Sequence, residues 1–434
     1  MGLGRPNVLV VFTDQQRWDT VGCYGSPMGL TPNLDTMAGR GTLMEHAFTC
    51  QPVCAPARAS LQTGLFATET GVWRNGQALR PGVTALAECF NGAGYRTGYI
   101  GKWHLAGTRR EPVPEELRGG YRYWLASDVL EWTSHPYEGH LFDGDNRAIE
   151  FKKYRVDALT DYALEFLRES AREPFFVMVS YLEPHFQNDV KRFVAPEGYA
   201  ARYADCYVPE DLHGHEGDWR RELPDYYGMV ARIDENLGRL LAELERLGVL
   251  EETIVLFLSD HGCHFRTRNE EYKRSCHESS IRIPMVFDGP GFRAGRVFRP
   301  LASLVDVPPT LLAACGLHVP GKMQGRNLVP LLDAPDIQPD EVFIQISESE
   351  VARAVRTPRW KYSAVAPGKG GSRESGSDRY VDECLYDLSA DPFEQHNLVG
   401  LSAYTDVLAE LRRRLAARMV DAGEPQPVIG PPSA

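Results

Sequence analysis

Three features of the chain predict an α/β fold, a mostly parallel central sheet with helices on both faces. Residues 7–13, 174–180, 253–259 and 283–287 are short continuous apolar runs, as strands buried on both faces require. Helical stripes lie between them: Val156, Leu159, Tyr162, Ala163, Phe166 and Leu167 within 155–171, and Met229, Ile233, Leu237, Leu240, Leu241 and Leu244 within 225–247. Polar residues stand directly after the runs, where parallel sheets gather their sites: Asp14 after the first, Glu183 and His185 after the second, Asp260 and His261 after the third.

The elements follow in order. Phe48 to Val53 reads as extended, and a short apolar helix-like run follows it and closes at Gly64, so Cys54 stands at a strand-to-helix junction. Tyr95 to Ile100 is strand-like. Segments 106–150 and 186–224 are rich in Trp, Tyr, Gly and charge without a clear period, and read as long loops of the kind that carry specificity. Trp124, Trp132 and Tyr137 could there stack on a sugar or an aryl group. After about residue 335 the texture changes. Alternating runs at 342–346, 351–356 and 359–365 suggest a small antiparallel sheet, 367–377 a flexible Gly/Ser-rich hairpin or loop, 403–420 an amphipathic helix, and the Pro-rich tail an extended segment. The expected division is an α/β domain over 1–335 and a small C-terminal α+β subdomain over 336–434.

The 434 residues are ample for a large core, and 43% hydrophobic with 24% charged residues is ordinary for a globular enzyme. A net charge of −12 argues against nucleic acid or an anionic membrane as partner, while leaving room for a basic pocket that takes a small anion. No apolar run approaches a membrane span, and the first residues lack the apolar core of a secretory signal, so a cytoplasmic location is expected. Nine scattered cysteines do not suggest a disulfide framework.

Cys54-Ala-Pro-Ala-Arg58 is the most informative stretch. A side chain at a helix N-terminus meets N–H groups that favour an anion, although a free Cys is as often a small buried hydrophobe. Asp14-Gln15 and Asp260-His261 end two core strands. Two carboxylates, an amide oxygen and an imidazole could converge there on one divalent cation, a hard ion such as Ca²⁺, Mg²⁺ or Mn²⁺, with the imidazole favouring Mn²⁺. Each Asp could instead cap the turn that follows it. Lys102 and His104, two apart at a strand end, can face one side and supply an anion-binding charge and a proton carrier. His185 is a second proton carrier, and Lys273 opens a basic stretch before the fourth apolar run.

These residues together resemble the sulfatase family of the alkaline-phosphatase-like superfamily, over nearly the whole chain. The blocks are Cys54-Ala-Pro-Ala-Arg58 with Leu61, Thr63 and Gly64; Gly-Lys-Trp-His-Leu at 101–105; Ser-Asp-His-Gly at 259–262; Ile-Arg-Ile-Pro at 281–284; and the stretch 385–398. The resemblance implies an alkaline-phosphatase-like fold and a type I, formylglycine-dependent sulfuric ester hydrolase acting on a small sulfated substrate, a sugar or an aryl or alkyl sulfate. It implies that a separate maturation enzyme oxidises Cys54 to formylglycine, whose hydrate attacks sulfur. Arg58 would fix the diol, Lys102, Lys273 and the cation would hold the sulfate, His185 would protonate the leaving alcohol, and His104 would drive release of sulfate. Asp14, Gln15, position 54, Asp260 and His261 would hold one cation, Ca²⁺ before Mn²⁺ or Mg²⁺. His277, with His264, Arg266 and Arg268, could extend the pocket toward the leaving group or belong to a solvated loop. The pairs Asp14-Gln15 and Asp260-His261 depart from the commoner Asp-Asp and Asp-Asn. They resemble the branch with choline sulfatases and phosphonate monoester hydrolases, which keeps a phosphonate monoester hydrolase or phosphodiesterase as the alternative.

Overall fold

The structure is a computed structural model that describes residues 5–333 and 340–431. The strands in chain order are β1 (Asn7–Thr13), β2 (Thr42–Met44), β3 (Ala47–Phe48), β4 (Arg96–Lys102), β5 (Tyr123–Ser127), β6 (Gly139–Asp143), β7 (Ala148–Phe151), β8 (Phe175–Ser180), β9 (Thr253–Ser259), β10 (Met285–Asp288), β11 (Arg296–Phe298) and β12 (Ala302–Ser303). The C-terminal strands are β13 (Val342–Ile346), β14 (Ala352–Arg356), β15 (Trp360–Val365), β16 (Arg379–Asp387) and β17 (Val428–Gly430). Ten of them form one sheet in the order β11-β2-β10-β9-β1-β8-β4-β5-β6-β7. Its centre, β9-β1-β8-β4-β5, is parallel, as the apolar runs require.

Strand β1 shows why a run that is apolar from Val8 to Phe12 suits this place. Val8, Val10 and Phe12 enter a core layer shared with Leu61, Phe90 and Leu311, whereas Leu9 and Val11 enter another shared with Leu34, Leu159 and Leu237. Successive side chains point to opposite faces, and helices cover both. The helices Cys54–Thr63, Leu86–Gly92 and Val307–Ala314 contribute to the first layer, and Pro32–Arg40, Arg155–Ser170 and Trp219–Arg246 to the second.

Three expectations need correction. Segment 106–150 is not a plain loop: it carries β5, β6 and β7, which extend the sheet at one edge. These strands are four or five residues long with Gly and aromatics interleaved, too short for a period to register. The run at 283–287 becomes Met285–Asp288, after Pro284, and pairs antiparallel with β9. The helix expected over 225–247 starts earlier, at Trp219, and takes Pro224 inside it.

The C-terminal sheet β13-β14-β15-β16 is antiparallel, and β17 in the tail adds to it in parallel. The helix Thr405–Asp421 lays Leu411, Leu415 and Met419 on it. The expected domain boundary at 335/336 lies outside the described residues. All nine cysteines are free. Among the described residues no helix is long and apolar enough to cross a membrane.

Candidate active site

The carboxyl ends of β1, β4, β8 and β9 converge on Cys54, the first residue of the helix Cys54–Thr63. Val53 before it is extended, and Gly64 closes the helix in the left-handed region (φ 69°) that glycine adopts without steric cost. Every residue of this helix is buried, so Cys54 is fixed on a rigid element. A second glycine serves the same place: a Cβ on Gly101 would lie 2.1 Å from the Ser180 carbonyl oxygen, and its absence lets β4 carry Lys102 in against β8.

Asp14, Cys54, Asp260 and His261 present ligand atoms that all lie within 4.8 Å of one another, and all four side chains are buried. Cys54 Sγ is 3.3 Å from His261 Nε2 and 3.6 Å from Asp14 Oδ1. The Nδ1 of His261 is 3.0 Å from the Gly262 carbonyl oxygen, so that nitrogen carries the proton and Nε2 turns its lone pair to the cluster. The Gln15 backbone N–H donates to Asp260 Oδ1 at 3.0 Å, and Gln15, at φ 70°, keeps its amide oxygen 3.5 Å from Lys273 Nζ. Two carboxylates, an imidazole lone pair and an amide oxygen make a donor set that fits one hard divalent cation with some nitrogen ligation.

Cations surround this acidic centre. Arg58 donates to Asp14 Oδ2 at 2.9 Å and Asp260 Oδ2 at 3.3 Å, and its other arm donates to the Lys102 carbonyl and Ser180 Oγ. Lys102 Nζ lies 2.8 Å from Asp14 Oδ2 and 3.1 Å from Glu131 Oε1. Lys273 Nζ donates to Cys54 Sγ at 2.9 Å and stands 3.2 Å from His185 Nε2. His185 Nδ1 is 2.6 Å from the Phe186 carbonyl oxygen, which turns Nε2 inward.

The charges shift one another in consistent directions. Burial alone would raise the Cys54 thiol, but the ammonium groups of Lys273 and Lys102 outweigh it and hold the group well below its ordinary value. Burial and the Cys54 charge would raise Asp14, yet Lys102, His185 and Lys273 keep it low. Burial, then the charge of Asp14, pushes Asp260 up.

A cavity of about 170 Å³ opens over Cys54, lined among others by Gln15, His104, His185 and Lys273. The expected catalytic and metal-binding residues thus meet in one place, whereas His277 does not join them. His277 bonds Ser275 and the Tyr386 hydroxyl of the C-terminal sheet, each at 3.2 Å, and is not among the side chains that line the cavity. Its position at the start of the short helix Glu278–Ile281 turns it toward that sheet. His264 is buried and bonds the Lys273 carbonyl, and Arg268 bonds the carbonyls of Phe393 and Glu394; only Arg266 of that trio reaches the cavity wall. Trp124 is 3% exposed inside the aromatic core and unavailable for stacking, whereas Trp132 and Tyr137 are 42% and 44% exposed. Sequence reasoning missed Glu131 and Asn75, which also line the cavity, as does Arg274 of the basic stretch that Lys273 opens. Glu131 lies four residues past the end of β5, in the short helix Leu130–Thr133, and with neither element recognised that signal was hidden.

The profile of the family described as "Sulfatase" matches residues 6–317. The chain belongs to the sulfatase family. A second profile, described as "N-sulphoglucosamine sulphohydrolase, C-terminal", matches residues 271–421 of this sulfatase. It is 31% identical to an ulvan-active sulfatase of Formosa agariphila, over 97% of this chain and 82% of that one. Its fold matches a protein solved in complex with D-glucosamine-2-N,6-O-disulfate, with a TM-score of 0.80 and 24% identity over 96% and 98% of the two chains. A phosphonate monoester hydrolase of Agrobacterium radiobacter shares the fold at a TM-score of 0.75, with 23% identity over 96% of each chain. The sulfatase is a sulfuric ester hydrolase, as its named relatives are.

Proposed function

We propose that this sulfatase hydrolyses the sulfate ester of a sugar, using formylglycine made from Cys54 and one divalent cation. The observation that carries this is the position of Cys54: first in a buried helix, 2.9 Å from Lys273 Nζ, inside the Asp14, Asp260 and His261 cluster. In the unmodified chain Sγ stands in for the oxygen of the modified side chain. The sugar half rests on the ulvan-active relative. Asp14, Gln15, Asp260 and His261 would hold the cation, Ca²⁺ before Mn²⁺ or Mg²⁺.

When present, the aldehyde hydrate supplies a hydroxyl nucleophile and the cation supplies positive charge to the sulfate oxygens. The chain's own residues do the rest. Lys273 faces the cavity beside Cys54 and holds a sulfate oxygen. Lys102 is fully buried between Asp14 and Glu131, so it acts as fixed charge behind the cluster. Arg58 bridges both carboxylates and fixes their spacing. His185 Nε2 delivers a proton to the leaving oxygen, a step worth about 10²- to 10⁴-fold. His104 lines the cavity with Nδ1 unpartnered and is placed to take a proton.

A separate maturation enzyme must supply the oxidised residue. Intact mass checks this: conversion exchanges one sulfur for one oxygen and removes two hydrogens. The pairs Asp14-Gln15 and Asp260-His261 favour one second reading, a phosphonate monoester hydrolase on the same machinery. Comparing kcat/KM on a sulfate monoester and a phosphonate monoester separates the two, and a large preference for the phosphonate overturns the sulfatase assignment of substrate.

A further inference from the structure

The cavity over Cys54, about 170 Å³, is smaller than the roughly 300–1,000 Å³ of pockets that enclose a whole drug-sized ligand. It suits a sulfate head and the atoms next to it. A second cavity of about 760 Å³ adjoins it, and Glu131 and Asn188 line both. The second cavity is built by residues after β5 and by the edge strands β6 and β7, with Trp132, His140 and Lys152 on its walls.

The junction carries a group with unmet bonding capacity. Glu131 is 9% exposed; its Oε1 accepts from Lys102 Nζ, and its Oε2 has no partner. A buried carboxylate oxygen without a donor is costly; Oε2 is closed to solvent, and a small turn of the carboxylate would bring it to a hydroxyl arriving between the two cavities. Trp132 is 42% exposed, and the guanidinium carbons of Arg109 and Arg110 lie 5.3 and 5.9 Å from its ring centre, which steadies the ring. An exposed aromatic among planar polar side chains matches a pyranose, which has apolar C–H faces and a rim of hydroxyls.

We infer that the cavity lined by Trp132, Glu131, Asn188 and Lys152 is a subsite for the sugar residue next to the one that bears the sulfate, so that the sulfatase takes an oligosaccharide in preference to a monosaccharide or an aryl sulfate. This rests on the sugar-sulfate reading above. The Glu131 Oε2 takes a hydroxyl of one of the two sugars, and Trp132 covers the face of the neighbour.

The test is made on the full chain with Cys54→Ala, which binds without turnover. Calorimetric titration uses size-sorted oligosaccharides, from mono- to hexasaccharide, cut from ulvan and from two sulfated glycosaminoglycans. In at least one series Kd falls about tenfold or more from mono- to tetrasaccharide, and Trp132→Ala added to Cys54→Ala removes most of that gain. Lys152→Ala repeats the measurement at a second lining residue and lowers the gain as well. Affinity independent of length in all three series, or a length dependence that both added variants leave intact, overturns the subsite. A preference of the wild type for a phosphonate ester would sink the sulfate reading, yet it would leave these binding curves unchanged, so the two failures are distinguishable.

Discussion

The two sides of Glu131 are built on different principles. On one side, the ends of β1, β4 and β9 hold Asp14, Lys102 and Asp260, and the helix Cys54–Thr63 holds Arg58, each buried and each paired with an opposite charge. On the other side, Trp132 stands on the short helix Leu130–Thr133, and His135 and Lys152 stand on the connections that flank β6 and β7, all three exposed to solvent. The first side can stabilise developing charge without reorganising, because its dipoles and charges are already fixed by core strands. The second can vary in sequence without disturbing the core, as loops on a rigid scaffold do. Chemistry and recognition are therefore separable in this molecule, and substitutions on the two sides should fail in different ways.

The largest effect belongs to Cys54. Cys54→Ala lowers kcat by at least about 10⁴-fold, the scale on which removal of a nucleophile operates, while the fold persists because alanine suits the first turn of a helix. Turnover of a sulfate ester before and after the substitution, with circular dichroism as the control for folding, measures it. Retained activity would move the chemistry away from this helix. Asp260→Ala comes next. It removes one carboxylate from the cluster and leaves Arg58 with Asp14 alone. Elemental analysis should show the bound metal lost, and kcat should fall about 10³-fold, equivalent to several kcal/mol of charge stabilisation. Stoichiometric metal in the variant would rule Asp260 out as a ligand.

How much was legible follows the same division. Asp14 and Asp260 could be read because 7–13 and 253–259 are uninterrupted apolar runs, so the residue after each had to lie at a strand end. Cys54 could be read because the helix it opens is short and closes on Gly64. Glu131 could not, because β5 is five residues long and lies in a segment whose turns and aromatics hide its period. His277 was misplaced for a different reason: its neighbours in sequence reach the site, but its own ring turns to Tyr386, a partner 109 residues away. Side-chain direction across such a separation is a property of the assembled fold, and no local pattern encodes it.

Glu131 sits where the two sides meet, and its titration probes that boundary. Burial alone would raise its carboxyl, but Lys102, with His185 and His104, outweighs burial and brings it down from 4.5 to about 2. A carboxyl lowered on folding contributes stability that is complete above pH 4.5 and is lost as the pH falls toward about 2. Glu131→Gln lacks this contribution at every pH. The gap in Tm between wild type and variant should thus be full at neutral pH and should narrow below pH 4.5. Thermal unfolding at a series of pH values reads the gap. A constant gap down to pH 3 would mean that Glu131 acts by hydrogen bonding alone, and would place it on the recognition side.

The smallest effect is also the sharpest contrast, because it compares one residue type on two sides of a single segment. Trp124, on β5, is 3% exposed and packs with Tyr99 and Trp103, at ring-centre distances of 5.6 and 5.4 Å. Trp132, eight positions on, is 42% exposed. Trp124→Ala opens a cavity in a close-packed layer and should cost about 3–5 kcal/mol. Trp132→Ala removes less buried area than Trp124→Ala and leaves no closed cavity, so it should cost only about 1 kcal/mol. Near-ultraviolet circular dichroism during thermal unfolding ranks the two variants. If Trp132→Ala lowered Tm as far as Trp124→Ala does, the open side would be core in disguise, and the separation of recognition from chemistry would fail. If it leaves Tm in place while oligosaccharide affinity falls, the exposed ring is held in the open for its ligand, since folding does not need it there.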